Sequence, residues 1–123
     1  MITIPIDGED ELLALWNVLA EAKFHDSPTK PEIQGSPYVA SVSNRVYQLL
    51  IENLSEDKRH WFQENRTLSP DHYVWPKLTK AAKLAQANSQ MTPALRRKYL
   101  VDFAAPYLIK EDDISTLLDG RIT

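Results

Sequence analysis

Apolar side chains in the middle of the chain recur at the spacing of an α-helix. Between residues 36 and 54, the large apolar positions that lie three or four residues apart are Val39, Val42, Val46, Leu49 and Leu50. At 100° per residue they form one stripe on a helix surface, whereas a half-buried strand would need strict alternation. Ser36 suits the N-cap, and Pro37 suits the first helical position. The pattern therefore predicts a central core helix.

Comparable signals predict the other helices. Asp7 precedes a first turn with three acidic residues, and large apolar side chains cover more than half of the helix that follows. Caps and prolines predict further helices over residues 55–66, 76–88, 92–104 and 111–118. Gly120 is the predicted C-terminal cap of the last one. The predicted fold class is mainly α, a compact bundle of about five to six short helices in one globular domain, residues 1–123.

The first six residues show a different pattern. Ile2, Ile4 and Ile6 alternate with Thr3 and Pro5, which is typical of a short β-strand with one apolar face. Because Pro5 has no N–H to donate, such a strand is restricted to a sheet edge or an extended arm. The candidate strand partners are residues 107–109 and 121–123.

Length, charge and cysteine content narrow the classes of protein. A chain of 123 residues buries a core large enough to fold without disulfides. It has no cysteine, and hence neither a disulfide framework nor a thiolate site. No apolar run approaches the roughly 18 residues of a membrane-spanning helix, and no basic-then-apolar leader is present. We therefore expect a cytoplasmic protein without membrane contact. The net charge of −3 does not indicate a general polyanion-binding surface.

The segment from residue 58 to 75 is rich in aromatic, arginine and histidine residues. Tryptophan, tyrosine and arginine are enriched where proteins bind one another, because they bury a large area and still carry polar groups. The residues predicted to contact a partner are Arg59, Trp61, Arg66, His72, Tyr73 and Trp75. The alternative is that the same aromatic side chains complete the core of a small helical domain.

Two histidines in this segment favour a metal or acid–base site as another alternative. Glu56, His60 and Glu64 are spaced four apart and share one helix face, and His72 follows soon after. A metal site usually needs a third or fourth convergent ligand, and no His-Glu-x-x-His motif is present. A small metal-dependent enzyme that uses His60 and His72 is therefore a second alternative function.

A basic segment begins at Lys77 and ends at Lys110, with seven basic residues and Asp102 as its one acid. Two helices joined by residues 88–92 resemble a helix-turn-helix, in which the second helix enters the DNA major groove while basic side chains contact phosphates. The residues predicted to contact DNA are Lys77, Lys80, Lys83, Arg96, Arg97 and Lys98. A DNA-binding regulator built on residues 77–104 is the first alternative function. A solvated lysine-rich helix face explains the same residues more simply.

The sequence contains no Gly-x-Ser-x-Gly nucleophile motif and no glycine-rich phosphate loop. Common hydrolase and nucleotide chemistries therefore have no support. The leading hypothesis is a non-enzymatic module, with no cofactor and no catalytic residue, that binds another protein. It would act as an inhibitor, an immunity-type neutraliser or an adaptor.

Overall fold

A computed structural model describes residues 1–119, whose regular structure consists of six α-helices and one short 3-10 turn. The helices are α1 (Gly8–Lys23), α2 (Pro37–Asn53), α3 (Glu56–Glu64), α4 (Trp75–Ala87), α5 (Pro93–Ala104) and α6 (Glu111–Leu118). The 3-10 turn, Pro31–Ile33, lies between α1 and α2. The mainly α bundle predicted from the sequence is confirmed. Within residues 1–119, no helix is both long enough and apolar enough to cross a membrane.

The helix starts follow local signals. Ser36 Oγ accepts hydrogen bonds from two backbone N–H groups in the first turn of α2, at 3.2 and 3.3 Å. Thr92 Oγ1 accepts one from the N–H of Leu95 at 3.2 Å. Both caps precede a proline, which needs no acceptor at the first helical position. Asp7 is the N-cap residue of α1, but its side chain makes no cap bond; instead Glu11 Oε1 accepts from the Asp7 N–H at 2.7 Å.

The buried face of α2 is rotated relative to the predicted stripe. Its buried residues are Ala40, Ser43, Val46, Tyr47 and Leu50. The prediction was correct for Val46 and Leu50 and wrong for Val42 and Leu49, which remain 46% and 42% exposed. The reason is that α2 packs against both α1 and α5. Small side chains at Ala40 and Ser43 let neighbouring elements approach closely, so the packed face is centred on them.

The N-terminal strand is not formed. Residues 1–7 have no regular structure, and the side chains of Ile2 and Ile4 are 94% and 78% exposed. The β-type pairing found within residues 1–119 is a single isolated parallel bridge between Thr67 and Leu108. A strand needs a neighbouring strand to satisfy its backbone, and none lies beside these residues. The proposed partner at residues 121–123 and the cap at Gly120 lie outside the described residues.

Two clusters of buried side chains make up the core. The first cluster joins α4, α5 and α6 and includes Leu78 and Leu100, both fully buried. The second cluster joins α1 and α2 through Trp16, Tyr47 and other residues. Tyr107, in the connection between α5 and α6, packs against both clusters. This one aromatic residue therefore links the two halves of the core.

The connection between α1 and α2 is held against the bundle. Gln34 Nε2 donates a hydrogen bond to the His25 carbonyl at 2.8 Å, which ties the two ends of the connection together. Gly35 lies directly against the ring of Tyr99 on α5, and a Cβ there would overlap that ring. A glycine is required at this position by the close approach of the Tyr99 side chain.

Candidate functional site

The structure divides the six residues predicted to contact a partner into three groups. Trp61 and Tyr73 are 59% and 58% exposed. Arg59, Arg66 and His72 are partly buried. Trp75 is only 6% exposed and belongs to the first cluster. Its place at the start of α4 directs it into the core. For Trp75, therefore, the alternative hypothesis applies: this aromatic side chain completes the core.

Trp61 and Tyr73 belong to a surface cleft of about 520 Å³, here called the aromatic cleft. Its lining residues with ring side chains are Trp16, Tyr47, Trp61, Phe62, His72, Tyr73 and Tyr107. The other lining residues are Glu64, Asn65, Thr67, Ser69 and Asp71. All of the latter are polar, so aromatic and polar residues line the cleft, with no aliphatic residue among them.

The rings that line the cleft form a continuous series of contacts. Ring centroids are 5.1 Å apart for Trp61 and Phe62, and 5.2 Å for Phe62 and Trp16, both with edge-to-face geometry. The series continues to Tyr107 at 6.1 Å. His72 lies 4.7 Å beyond it. These separations fall in the range of favourable aromatic pairs, so the buried members hold the exposed ones in place.

The exposed tyrosine is at the other end of this series. Tyr73 stacks on His72 with centroids 4.9 Å apart and an interplanar angle of 25°. His72 is itself fixed, because its Nδ1 accepts a hydrogen bond from the Val74 N–H at 3.1 Å. Trp61 and Tyr73, the two exposed rings, thus end one series of ring contacts that passes through the buried Trp16.

Backbone hydrogen bonds bring the separate segments of the cleft together. The Leu68 N–H donates to the Leu108 carbonyl at 2.8 Å, and the Leu108 N–H donates to the Arg66 carbonyl at 2.9 Å. These bonds join the connection after α3 to the one that carries Tyr107. Arg66 strengthens the same junction, since its Nε donates to the Pro106 carbonyl at 3.1 Å.

The cleft carries negative charge at neutral pH. Glu64 and Asp71 are its carboxylates, and neither lysine nor arginine is among its lining residues. Burial lowers the pKa of His72 below 6.5, which keeps that imidazole neutral near pH 7. Burial also raises the pKa of Tyr107, and neighbouring Tyr73 raises it further, so the Tyr107 phenol is neutral near pH 7.

The residues proposed for a metal or acid–base site do not form a group of three or more ligands. His60 Nε2 lies 2.9 Å from Glu64 Oε1, but both side chains are more than 60% exposed on one face of α3. His72 uses Nδ1 as an acceptor within its own turn. Across residues 1–119, no group of three or more histidine, aspartate or glutamate side chains is arranged to hold a metal ion.

Most of the residues predicted to contact DNA are engaged within the molecule. Lys77 pairs with Asp26, Arg97 with Glu111, and Lys98 with Asp102. Arg96 Nε donates to the Ala85 carbonyl at 3.0 Å and one terminal nitrogen to the Asn88 carbonyl at 2.9 Å, so its guanidinium caps the end of α4. Lys80 and Lys83 are exposed on α4. Helices α4 and α5 do pack as neighbours, and the contacts of Arg96 and Arg97 join α5 to the end of α4 and to α6.

Sequence reasoning missed part of the cleft. Trp16, Tyr47 and Tyr107 come from α1, α2 and the connection before α6, far from residues 58–75 in the chain. Glu64 was considered only as a metal ligand, and Asp71 was not selected for partner contact. No local pattern marks such residues, because their proximity arises from the packing of separate elements.

Neither the protein-family models, nor the curated proteins, nor the solved structures contain a match to this chain.

Proposed function

We propose that this protein is a non-enzymatic module that binds another protein through the aromatic cleft and its two exposed rings, Trp61 and Tyr73. The observation that supports this proposal is their exposure, 59% and 58%, on a framework of ring contacts that already holds them in position. Preorganised aromatic side chains bind with little loss of conformational freedom, which makes them frequent hot spots. Inhibitor, neutraliser and adaptor roles in the cytoplasm all fit a module of this kind.

The energetic argument concerns what these rings do in the free protein. A tryptophan that is more than half exposed leaves a large apolar area in water, and exposed apolar area gathered at one cleft is typical of an interaction site. Several aromatic residues around Trp61 and Tyr73 are buried or partly buried, so the two rings are supported from below. Burial of both rings against a partner would contribute to affinity without reorganisation of the fold.

The test is an affinity capture from native lysate, run with and without nuclease and at low and moderate salt, followed by titration of the recovered protein. Trp61→Ala and Tyr73→Ala should each weaken its binding by about 2 kcal/mol, roughly 30-fold in Kd. Both variants should retain the cooperative unfolding transition of the parent chain. Tyr38, 83% exposed at the start of α2 and outside the cleft, provides the matched control, and Tyr38→Ala should bind as the parent does.

Full binding by both cleft variants would contradict the proposal. Recovery of nucleic acid instead of protein, lost at moderate salt and dependent on Lys80 and Lys83, would move the function to α4.

A further inference from the structure

We infer that the aromatic cleft receives a positively charged side chain, arginine or lysine, from a basic segment of the partner protein. This inference rests on the proposed function and adds the chemistry of the group that is bound. It follows from the composition of the cleft, in which aromatic residues and two acidic residues are combined. An aliphatic side chain would contact the rings but not the carboxylates. An acidic side chain would be repelled by the carboxylates.

The first argument is electrostatic. Glu64 and Asp71 are the charged residues that line the cleft, and His72 is neutral near pH 7 because burial lowers its pKa. The pairing of Glu64 with His60 at 2.9 Å joins two exposed side chains on one helix face. Such pairs are weak, and the second carboxylate oxygen stays available to another donor. A cation entering the cleft therefore meets two acidic residues and neither lysine nor arginine among the lining residues, while the Arg66 guanidinium lies outside the lining, on the ring of Tyr47.

The second argument comes from the rings. The negative faces of tryptophan and tyrosine attract cations, and Trp61 and Tyr73 are the cleft aromatics with the largest exposed fraction. A guanidinium stacks on such a face through its plane while its N–H groups reach a carboxylate. Few other side chains satisfy both kinds of partner in the same site.

The third argument is that a guanidinium of this chain already lies on the ring of another aromatic residue of the cleft, Tyr47. The Arg66 guanidinium carbon lies 4.1 Å from the centroid of Tyr47, a lining residue of the cleft, and its Nε donates to the Pro106 carbonyl. Arg66 is held there by these contacts and is not a lining residue. The aromatic residues of the cleft are therefore compatible with a stacked arginine. The exposed rings of Trp61 and Tyr73 could bind an arginine of the partner in the same way.

A neighbouring groove, which shares Tyr73 with the aromatic cleft, differs from it in charge. This second groove, between the α1–α2 connection and α4, is lined by Lys77 and Lys80, with Asp26 paired to Lys77. That groove offers positive charge where the aromatic cleft offers negative charge. Charge complementarity therefore favours a basic segment on the aromatic-cleft side of Tyr73 over the side lined by Lys77 and Lys80.

The experiment uses three short capped peptides, acetyl-Gly-X-Gly-amide, in which X is arginine, lysine or norleucine. The full chain is titrated with each peptide while the indole N–H signal of Trp61 is followed by NMR. Saturable shifts are expected with arginine and lysine, and much smaller ones with norleucine, which has similar length without charge. Binding of the charged peptides should weaken as NaCl is raised.

A charge-neutral variant of the cleft tests the carboxylates. Glu64→Gln combined with Asp71→Asn should weaken binding of the arginine peptide about tenfold, a change of roughly 1.4 kcal/mol. Glu32→Gln combined with Asp57→Asn removes the same charge from exposed positions outside the cleft and should leave the affinity unchanged. Because all four substitutions are conservative and lie at exposed positions, both variants should remain folded. A thermal melt of each variant checks this.

The outcomes separate the inference from the proposed function. Equal shifts with the norleucine peptide, no shift with any peptide, or undiminished binding by the neutral cleft variant would each overturn the inference. In those cases the proposed function still stands if Trp61→Ala loses the captured partner. If Trp61→Ala and Tyr73→Ala both keep that partner, the proposed function fails, whichever peptide binds.

Discussion

Lys23 is the residue whose environment departs most from what its side chain prefers. Its side chain is almost fully buried at the end of α1, where Nζ donates to the carbonyls of Asp102, at 2.5 Å, and Ala105. The lysine therefore ties α1 to the last turn of α5. Burial lowers its pKa from 10.5 to about 7, against the opposing effect of the Asp102 carboxylate.

This lowered pKa predicts that stability rises with pH. Between pH 7 and 10.5 the unfolded chain keeps the Lys23 proton while the folded chain has lost it, so raising the pH favours the folded state. Below pH 7 both states are protonated, and the contribution no longer changes. We expect a gain of about 1.4 kcal/mol per pH unit at most, or about 2–3 kcal/mol between pH 7 and 9.

Urea unfolding at several pH values measures this gain. Lys23→Met serves as the control, because the difference between the two proteins cancels the histidines and the N-terminus. Tyrosines with raised pKa values act in the opposite direction near pH 10 and above, so the series ends at pH 9.5. An identical pH slope in Lys23→Met would show that this lysine is not responsible.

Trp61 and Trp75 should respond differently to the same substitution. Trp75→Ala removes a side chain that is 6% exposed within the first cluster, and should cost about 3–5 kcal/mol of unfolding free energy. Trp61→Ala removes one that is 59% exposed and should cost about 1 kcal/mol or less. Chemical denaturation of the two variants checks the difference, and equal losses would place Trp61 in the core as well.

At the scale of the helices, α2 and α5 each begin with a single side chain that caps the first turn. Ser36 and Thr92 each accept backbone hydrogen bonds in the first turn of α2 and α5. Ser55 occupies the same position before α3, yet its side chain makes no cap bond. The three sites therefore form a matched set, in which residue type is similar and the hydrogen bond differs.

Alanine at each cap tests that difference. Ser36→Ala and Thr92→Ala should each lower the free energy of unfolding by about 1 kcal/mol, since they leave first-turn N–H groups without their acceptor. Ser55→Ala should change it by a few tenths of a kcal/mol at most. Urea denaturation of the three variants gives the comparison, and a large loss for Ser55→Ala would contradict the role assigned to the cap bonds.

At the scale of the whole molecule, the two core clusters are expected to unfold together. Tyr107 packs against both, Lys23 joins α1 to α5, and α2 contacts α5. Such links make partial unfolding costly, because opening one cluster exposes apolar surface of the other.

Fluorine NMR tests this coupling in the full chain. With 5-fluorotryptophan at all three positions, Trp16 reports on the second cluster and Trp75 on the first. Their folded signals should disappear at the same urea concentration. Separate midpoints for the two signals would instead reveal two independent units.

Local sequence was sufficient to predict the helices of this protein. Cap hydrogen bonds and prolines at the starts of α2 and α5, and acidic residues in the first turns of α3 and α6, act within one turn, so the bounds of these four helices agree with the predicted ones to within a few residues. The same local rules predicted a strand at residues 2–6, and failed, because a strand depends on a neighbour that no local pattern specifies.

Tertiary packing decided which faces are buried and which residues form the cleft. The exposure of Val42 and Leu49, the burial of Trp75 and the burial of Lys23 all depend on where the other helices lie. The aromatic cleft joins Trp16 on α1 to Trp61 on α3 and Tyr107 before α6. Periodicity within a helix cannot specify these proximities, because they are properties of the contacts between elements and not of any one segment.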